Sequence, residues 1–267
     1  MMINKPMIGV AAAVLVIAVG TWYYLHSRGA MPPPAAVATL PPPAAEPPAP
    51  PAEEHPLPGA QADAASKTPL PALADSDAPL SDAISPVVGA AAVKDYLLPE
   101  NIIRHLVVTI DNLLRQKVAV EKRPVAPTPG SFVAEGDEQH AVLSPQNYAR
   151  YQPLVTVISK LDVRQFVPVY VHFYPLFQQA YQDLGYPNGY FNDRLVRVID
   201  SLLATPQPKE PIELVRPNVM YQFADPALES LPAGQKLLVR MGPENAAAIM
   251  AKLRELRSAI TATPLKR

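Results

Sequence analysis

The stretch 163-VRQFVPVYVHFYPLFQQAYQDLG-185 decides the fold of this chain. Its large apolar side chains recur at spacings of three and four residues, which is the period of an amphipathic helix. Asp162, followed three residues later by Gln165, is typical of a helix start, and Gly185 is typical of a helix end. Pro168 and Pro175 predict a break or a kink inside the helix. The apolar face comprises Phe166, Tyr170, Phe173, Phe177, Tyr181 and Leu184.

Segments on both sides of this stretch show the same helical period. Apolar stripes run over residues 102–114 and 246–260, and each is flanked by polar residues that form an opposite face. An Ala-rich segment, 87–97, predicts a shorter helix before the first stripe, and residues 234–240 predict another before the second. The chain beyond its first 80 residues is therefore rich in helices.

Local signals indicate where several helices begin. Ser-Pro at 144–145 and Asp-Pro at 225–226 each combine a capping side chain with a first-turn proline. Asn188 or Asn192 is expected to cap a helix that runs through Leu203.

Two segments lack the helical period. Residues 117–139 predict a long loop that contains a short strand at 118–120, and residues 212–215 predict a second short strand. We therefore expect a mainly α fold: one helical domain over residues 81–262, with about six to eight helices and at most short strands, followed by a C-terminal tail, 263–267.

The sequence 7-MIGVAAAVLVIAVGTWYYL-25 follows a short tail, 1–6, and carries no charge. As a helix it spans roughly 28 Å, the thickness of a bilayer's hydrocarbon core, so it predicts a single transmembrane helix. The alternative is a signal peptide cleaved before Thr21. Because Lys5 lies in the tail, the positive-inside rule favours a cytoplasmic N-terminus. The chain would then sit in the inner (cytoplasmic) membrane as a single-pass protein, with its helical domain in the periplasm.

Residues 26–80 predict a disordered linker rich in proline and alanine. Prolines fix φ and lack an N–H, so neither helix nor sheet can propagate here, and a polyproline II bias is expected. A spacer between membrane and domain is the favoured interpretation, and a ligand for a proline-binding partner is the alternative.

Composition excludes several classes of function. The chain has 23 basic and 24 acidic residues, which argues against a nucleic-acid partner. It has no cysteine, and its five histidines are scattered without metal-ligand spacing. Nucleotide loops and serine-nucleophile motifs are absent from the sequence. We therefore assign no catalytic, cofactor-binding or metal-binding residue, and expect no cofactor.

A few polar residues are weaker candidates for chemistry. His172, Tyr174, Asp193 and Arg194 would form an acid–base site if they converged in a cleft. The favoured alternative is structural, with His172 on the polar side of its helix and Asp193 paired with Arg197. The tyrosines of GYPNGY (185–190) are expected to pack in the core rather than form a contact patch, and the basic face of the last helix (Lys252, Arg254 and Arg257) is expected to be solvated.

Two phrases carry a family resemblance: YPLFQQAYQDLGYPNGYFNDRLVRVIDSLLATP (174–206) and ADPALESLPAGQKLLVRMGPENAAAIMAKLREL (224–256). The chain resembles the uncharacterised proteobacterial family named domain of unknown function 3014 (DUF3014). The resemblance implies a membrane helix and a proline-rich stretch ahead of a helical domain, and association with the cell envelope. It implies no activity, cofactor or catalytic residue.

These features predict a membrane-anchored envelope protein of non-enzymatic type, an interaction or scaffold module on a proline-rich tether. The alternative is an envelope enzyme of hydrolase-like type. The expected partners are the membrane, through residues 7–25, and an envelope protein or the cell wall. The sequence leaves the oligomeric state open.

Overall fold

A computed structural model of the chain describes residues 52–58, 69–137 and 140–261. The predicted tail 1–6, the predicted transmembrane helix 7–25 and the tail 263–267 lie outside the described residues, as does most of the predicted linker. Within the described ranges, no helix combines the length and the apolar character needed to span a membrane.

The described residues form a mainly helical domain with a few short strands, as the sequence predicts. They contain nine α-helices, one more than the upper end of the predicted range. Two short 3-10 turns, Leu73–Asp75 and Val120–Lys122, complete the helical elements. The helices are α1 (Asp77–Val88), α2 (Ala90–Tyr96), α3 (Ile102–Asn112), α4 (Gln146–Ser159), α5 (Val163–Asp183), α6 (Phe191–Leu203), α7 (Pro226–Glu229), α8 (Ala233–Arg240) and α9 (Pro243–Thr261).

A small antiparallel sheet has the strand order β1-β2-β3-β4. Its strands are β1 (Ala134–Glu135), β2 (Ala141–Leu143), β3 (Glu213–Val215) and β4 (Gln222–Phe223). The strand predicted at 212–215 is confirmed. The strand predicted at 118–120 is wrong, because the chain there enters the 3-10 turn at Val120.

Helix α5 contains the stretch that opened the sequence analysis. It continues as one helix of 21 residues through both Pro168 and Pro175, so neither proline breaks it. Asp162 caps its start by accepting a hydrogen bond from the backbone N–H of Arg164, and the helix ends just before Gly185, which adopts a φ of +114°.

The aromatic face of α5 forms the centre of the largest apolar core. Tyr170, Phe177 and Tyr181 are buried there, and Phe191 at the start of α6 stacks on Phe177 with ring centroids 5.5 Å apart. Ile260 near the end of α9 closes this core and is fully buried. Two smaller apolar clusters lie under the sheet and at the start of α9.

The described part of the predicted linker packs on the domain. Helix α1 begins at Asp77, and Leu57, Leu73 and Leu80 are buried in the α5 core. Helical structure is thus already present before residue 81, in the 3-10 turn at Leu73–Asp75 and in α1.

The start of α6 also differs from the sequence-based expectation. The helix begins at Phe191, and neither Asn188 nor Asn192 caps it. Asn192 lies inside the first turn and is fully buried, where it joins the site described next.

Candidate functional site

A buried carboxylate at the start of α6 binds the backbone of a distant segment. Asp193 is 5% exposed, and its two oxygens accept hydrogen bonds from consecutive backbone N–H groups, those of Glu54 at 3.1 Å and His55 at 2.6 Å. Hydrogen bonds to an ionised carboxylate are among the stronger ones in proteins. We call residues 53–57 the strap. We call the surface that receives it, formed by Tyr170, Tyr174, Asn192, Asp193 and Ile260, the seat.

Asn192 links the strap to two helices. Its amide nitrogen donates to the backbone carbonyls of His55, at 2.7 Å, and Ile260, at 3.2 Å. Its amide oxygen accepts from the hydroxyl of Tyr170 at 3.3 Å. Every hydrogen of this buried amide therefore has an acceptor, and losing the carbonyl of His55 would leave one donor unsatisfied inside the protein.

The strap ends in an apolar anchor. Leu57 is 6% exposed and belongs to the same core as Tyr170 and Ile260. The prolines on either side of it, Pro56 and Pro58, have no N–H to satisfy and favour an extended backbone. The seat thus holds an extended peptide by its backbone at one end and by a leucine side chain at the other.

The strap also carries an acidic side chain, Glu53, whose charged form is disfavoured in the seat. Partial burial, with a smaller contribution from the nearby charge of Asp193, raises the pKa of Glu53 above its ordinary value. Burial also raises the pKa of Tyr174 and of Tyr170, and the negative charge of Glu53 adds to both shifts. Docking of the strap therefore places Glu53 close enough to Asp193 for the two negative charges to repel each other.

The structure brings two of the four candidate residues together. Tyr174 and Asp193 both belong to the seat. His172, half-buried on α5, packs edge-on against the ring of Phe173. Arg194 faces a different element, α3. The expected pairing of Asp193 with the side chain of Arg197 is wrong: Arg197 donates to the backbone carbonyl of Asp193, because the carboxylate binds the strap.

Arg194 belongs to a buried ionic cluster around Asp111 on α3. Its guanidinium lies 2.9 Å from the carboxylate of Asp111 and donates to the carbonyl of the same residue at 2.8 Å. Arg115 donates to the other carboxylate oxygen at 2.7 Å. The side chain of Asp111 is only 2% exposed, so this cluster fixes α3 against α6.

The other weak candidates have structural partners. On α9, Lys252 pairs with Glu255 and Arg257 pairs with Asp200 of α6, whereas Arg254 is exposed. In the 185–190 turn, the ring of Tyr186 stacks on that of Tyr181 at 4.5 Å, as expected for core packing.

The two roomiest cavities described lie apart from the four candidates. A cavity of about 300 Å³ between α3 and α5 and another of about 410 Å³ beside β3 include none of them in their linings. Across residues 52–58, 69–137 and 140–261, no three histidines or acidic residues cluster as metal ligands would.

One feature of the sequence indicates the strap. Leu57 is the single large apolar residue between Leu40 and Leu70, and a lone leucine in a polar, proline-rich stretch is a candidate anchor. The partners of the strap follow it by about 140 residues, as the separation between Glu54 and Asp193 shows, so no local pattern could identify the seat.

The fold and the site define a small helical domain that binds part of its own N-terminal extension. A family model described as "Protein of unknown function (DUF3014)" matches residues 102–257, which is more than half of the chain. The chain belongs to this family, as the two quoted phrases indicated. No curated protein and no solved structure matches the chain significantly.

Proposed function

We propose that this protein is a membrane-anchored protein of the cell envelope, and that its helical domain is a non-catalytic interaction module carried on a proline-rich tether. In this proposal residues 7–25 span the inner membrane once and the helical domain lies in the periplasm. The observation that carries the proposal is the strap, an extended peptide held by the domain through Asp193, Asn192 and a leucine pocket.

This observation favours binding over catalysis for the polar groups at the start of α6. Asp193 and Asn192 form hydrogen bonds with backbone groups of another segment, as residues of a peptide-recognition surface do. Arg194, the next residue, is used in the cluster with Asp111. An interaction module needs such a surface and a means of reaching its partner, and the tether supplies the reach.

Membrane attachment is tested on the full-length chain. After cell lysis the protein is expected to remain in the membrane pellet under carbonate extraction, and a reporter fused after residue 267 is expected to be active in the periplasm only. Deletion of residues 7–25 is the matched control and should release the protein. Recovery of the intact chain in the carbonate supernatant contradicts the anchor.

The interaction role is tested by photo-crosslinking in cells. A photoreactive residue replaces one of three exposed residues on different faces: Glu54 on the strap, Met220 between β3 and β4, or Arg254 on α9. A discrete adduct of one size is expected from one face and not from the others. The same substitution at Ile102, which is fully buried and lies outside the seat, measures background. Adducts that never exceed this background refute the role.

A further inference from the structure

We propose that the seat is an exchangeable peptide-binding groove, that the strap is its built-in competitor, and that the partner is an extended, proline-flanked peptide of the same design. This inference rests on the proposed role as an interaction module and names the surface and the ligand chemistry. The ligand would present two consecutive backbone N–H groups, a backbone carbonyl and a leucine two residues after the second N–H.

The contacts of the strap set this ligand chemistry. The strap binds Asp193 and Asn192 through three groups, and all three are backbone atoms of Glu54 and His55. Backbone contacts give affinity without demanding particular side chains, and pockets for individual side chains give specificity. Leu57 is the one strap side chain buried in the apolar core, so an equivalent leucine is the main side-chain requirement.

The strap is a compromised ligand for its own seat. Glu53 lies near the buried carboxylate of Asp193, and burial together with that charge raises the pKa of Glu53. Like charges that share a partly buried site repel each other. A peptide with a neutral residue at this position avoids the repulsion and should displace the strap, although the strap has the advantage of being attached to the seat.

The strap can leave without unfolding the domain. Eleven residues, 58–68, separate it in sequence from Pro69. The next anchored element is the 3-10 turn Leu73–Asp75, which has its own buried side chain, Leu73. Four of the five seat residues lie inside the family-matched residues 102–257, whereas the strap precedes this range and Ile260 follows it.

The test uses a fluorescent peptide, PAEEHPLPGA, which reproduces residues 51–60, and the full-length chain in detergent. Leu57→Ala in the chain weakens the internal strap, so its seat should bind the peptide at least about thirtyfold more tightly than the wild-type seat, where the strap competes. Adding Asp193→Asn to that variant should weaken peptide binding at least about thirtyfold, while adding Asp200→Asn, on the same helix, should leave it unchanged. The peptide with Gln at the position of Glu53 should bind several-fold more tightly, and the peptide with Ala at the position of Leu57 should not bind.

A second measurement needs no variant, in case Leu57→Ala disturbs the core. An excess of unlabelled peptide is expected to speed hydrogen exchange of the Glu54 and His55 amides in the ¹⁵N-labelled wild-type chain. Exchange of α5 amides should not change. The inference is overturned if neither measurement detects saturable binding, or if Asp193→Asn leaves binding intact.

The two proposals fail differently. If the peptide does not bind but crosslinking in cells still yields a discrete adduct, the module uses another surface and only the exchangeable groove is refuted. If the peptide binds as expected but no adduct exceeds the Ile102 background, the groove stands and the envelope interaction role is refuted.

Discussion

Replacement of Asp193 by Asn tests the contact on which the strap depends. The substitution keeps the size of the side chain and one acceptor oxygen, but it removes the negative charge and turns the other oxygen into an N–H donor. That donor would face the backbone N–H of Glu54 or His55, each of which now donates to the carboxylate. One hydrogen bond is therefore lost and the other becomes neutral.

The expected loss follows from these two bonds. A hydrogen bond to a charged group contributes about 1.5–3 kcal/mol and a neutral one about 1 kcal/mol, so docking of the strap should weaken by about 2–5 kcal/mol. Because 1.4 kcal/mol is about a factor of ten, even the lower limit raises the open population of the strap about thirtyfold. Asp193 also lies in the first turn of α6, where loss of a negative charge costs about 0.3–1 kcal/mol of helix stability.

Native-state hydrogen exchange measures this opening at the Glu54 and His55 amides. In Asp193→Asn their exchange should accelerate at least about thirtyfold, while amides of α5 slow enough to report global unfolding change far less. Asp200→Asn is the matched control, since it makes the same substitution on the same helix at an exposed pair with Arg257, and it should leave the strap unchanged. Equal protection of the strap amides from exchange in Asp193→Asn and in the wild type would refute the role of Asp193 in holding the strap.

Three further substitutions test separate features. Gly242→Ala should destabilise the domain by about 2–5 kcal/mol in denaturant unfolding, because the new Cβ would lie 2.5 Å from the ring of Tyr148 and the backbone φ is +87°. Gly185→Ala is the control: its φ is +114° but no atom lies within 4 Å of the new Cβ, so it should cost only about 1–2 kcal/mol, and equal losses in the two variants would contradict the packing at Gly242. Glu53 has a pKa raised above 4.5 in the docked strap, so docking takes up a proton and should strengthen as the pH falls from neutral to 4.5. In Glu53→Gln the strap should dock more tightly at pH 7 and lose this pH dependence. Hydrogen exchange of the strap amides, corrected for the intrinsic effect of pH on exchange, measures both. Asp111→Ala leaves two arginines without their buried partner and should cost about 3–5 kcal/mol of unfolding free energy; a loss below 1 kcal/mol would show that the cluster is not stabilising.

The helices were predictable because their signals are local. The apolar stripe of α5, the cap at Asp162 and the stop at Gly185 all lie within one continuous segment. The same holds for α7, whose start follows Asp225 with its side chain bonded to the N–H of Ala227. Of the break or kink predicted at Pro168 or Pro175, the break does not occur, although each proline removes one backbone N–H from the helix.

The strap was not predictable, because its stabilising contacts are long-range. A proline-rich segment predicts disorder from its own composition, yet docking of Leu57 and three backbone hydrogen bonds depends on residues of α5, α6 and α9. Asn192 resembled a helix cap, since amide side chains are common there. Its actual partners lie 22, 68 and 137 residues away, and only the folded chain brings them together.

Two carboxylate clamps, Asp77 and Asp193, hold the N-terminal side of the domain. Each clamp binds a different segment, so the strap can exchange without release of α1. Asp77 at the start of α1 accepts from the consecutive N–H groups of Asn101 and Ile102, at 2.7 and 2.8 Å, just as Asp193 accepts from the strap. The Asp77 clamp fixes α1 to the start of α3 without help from the strap. Breaking the Asp193 clamp therefore frees the strap but leaves α1 attached. The free energy of opening the seat is then limited to the contacts of the strap itself, and a bound peptide of the same design would restore each of those contacts.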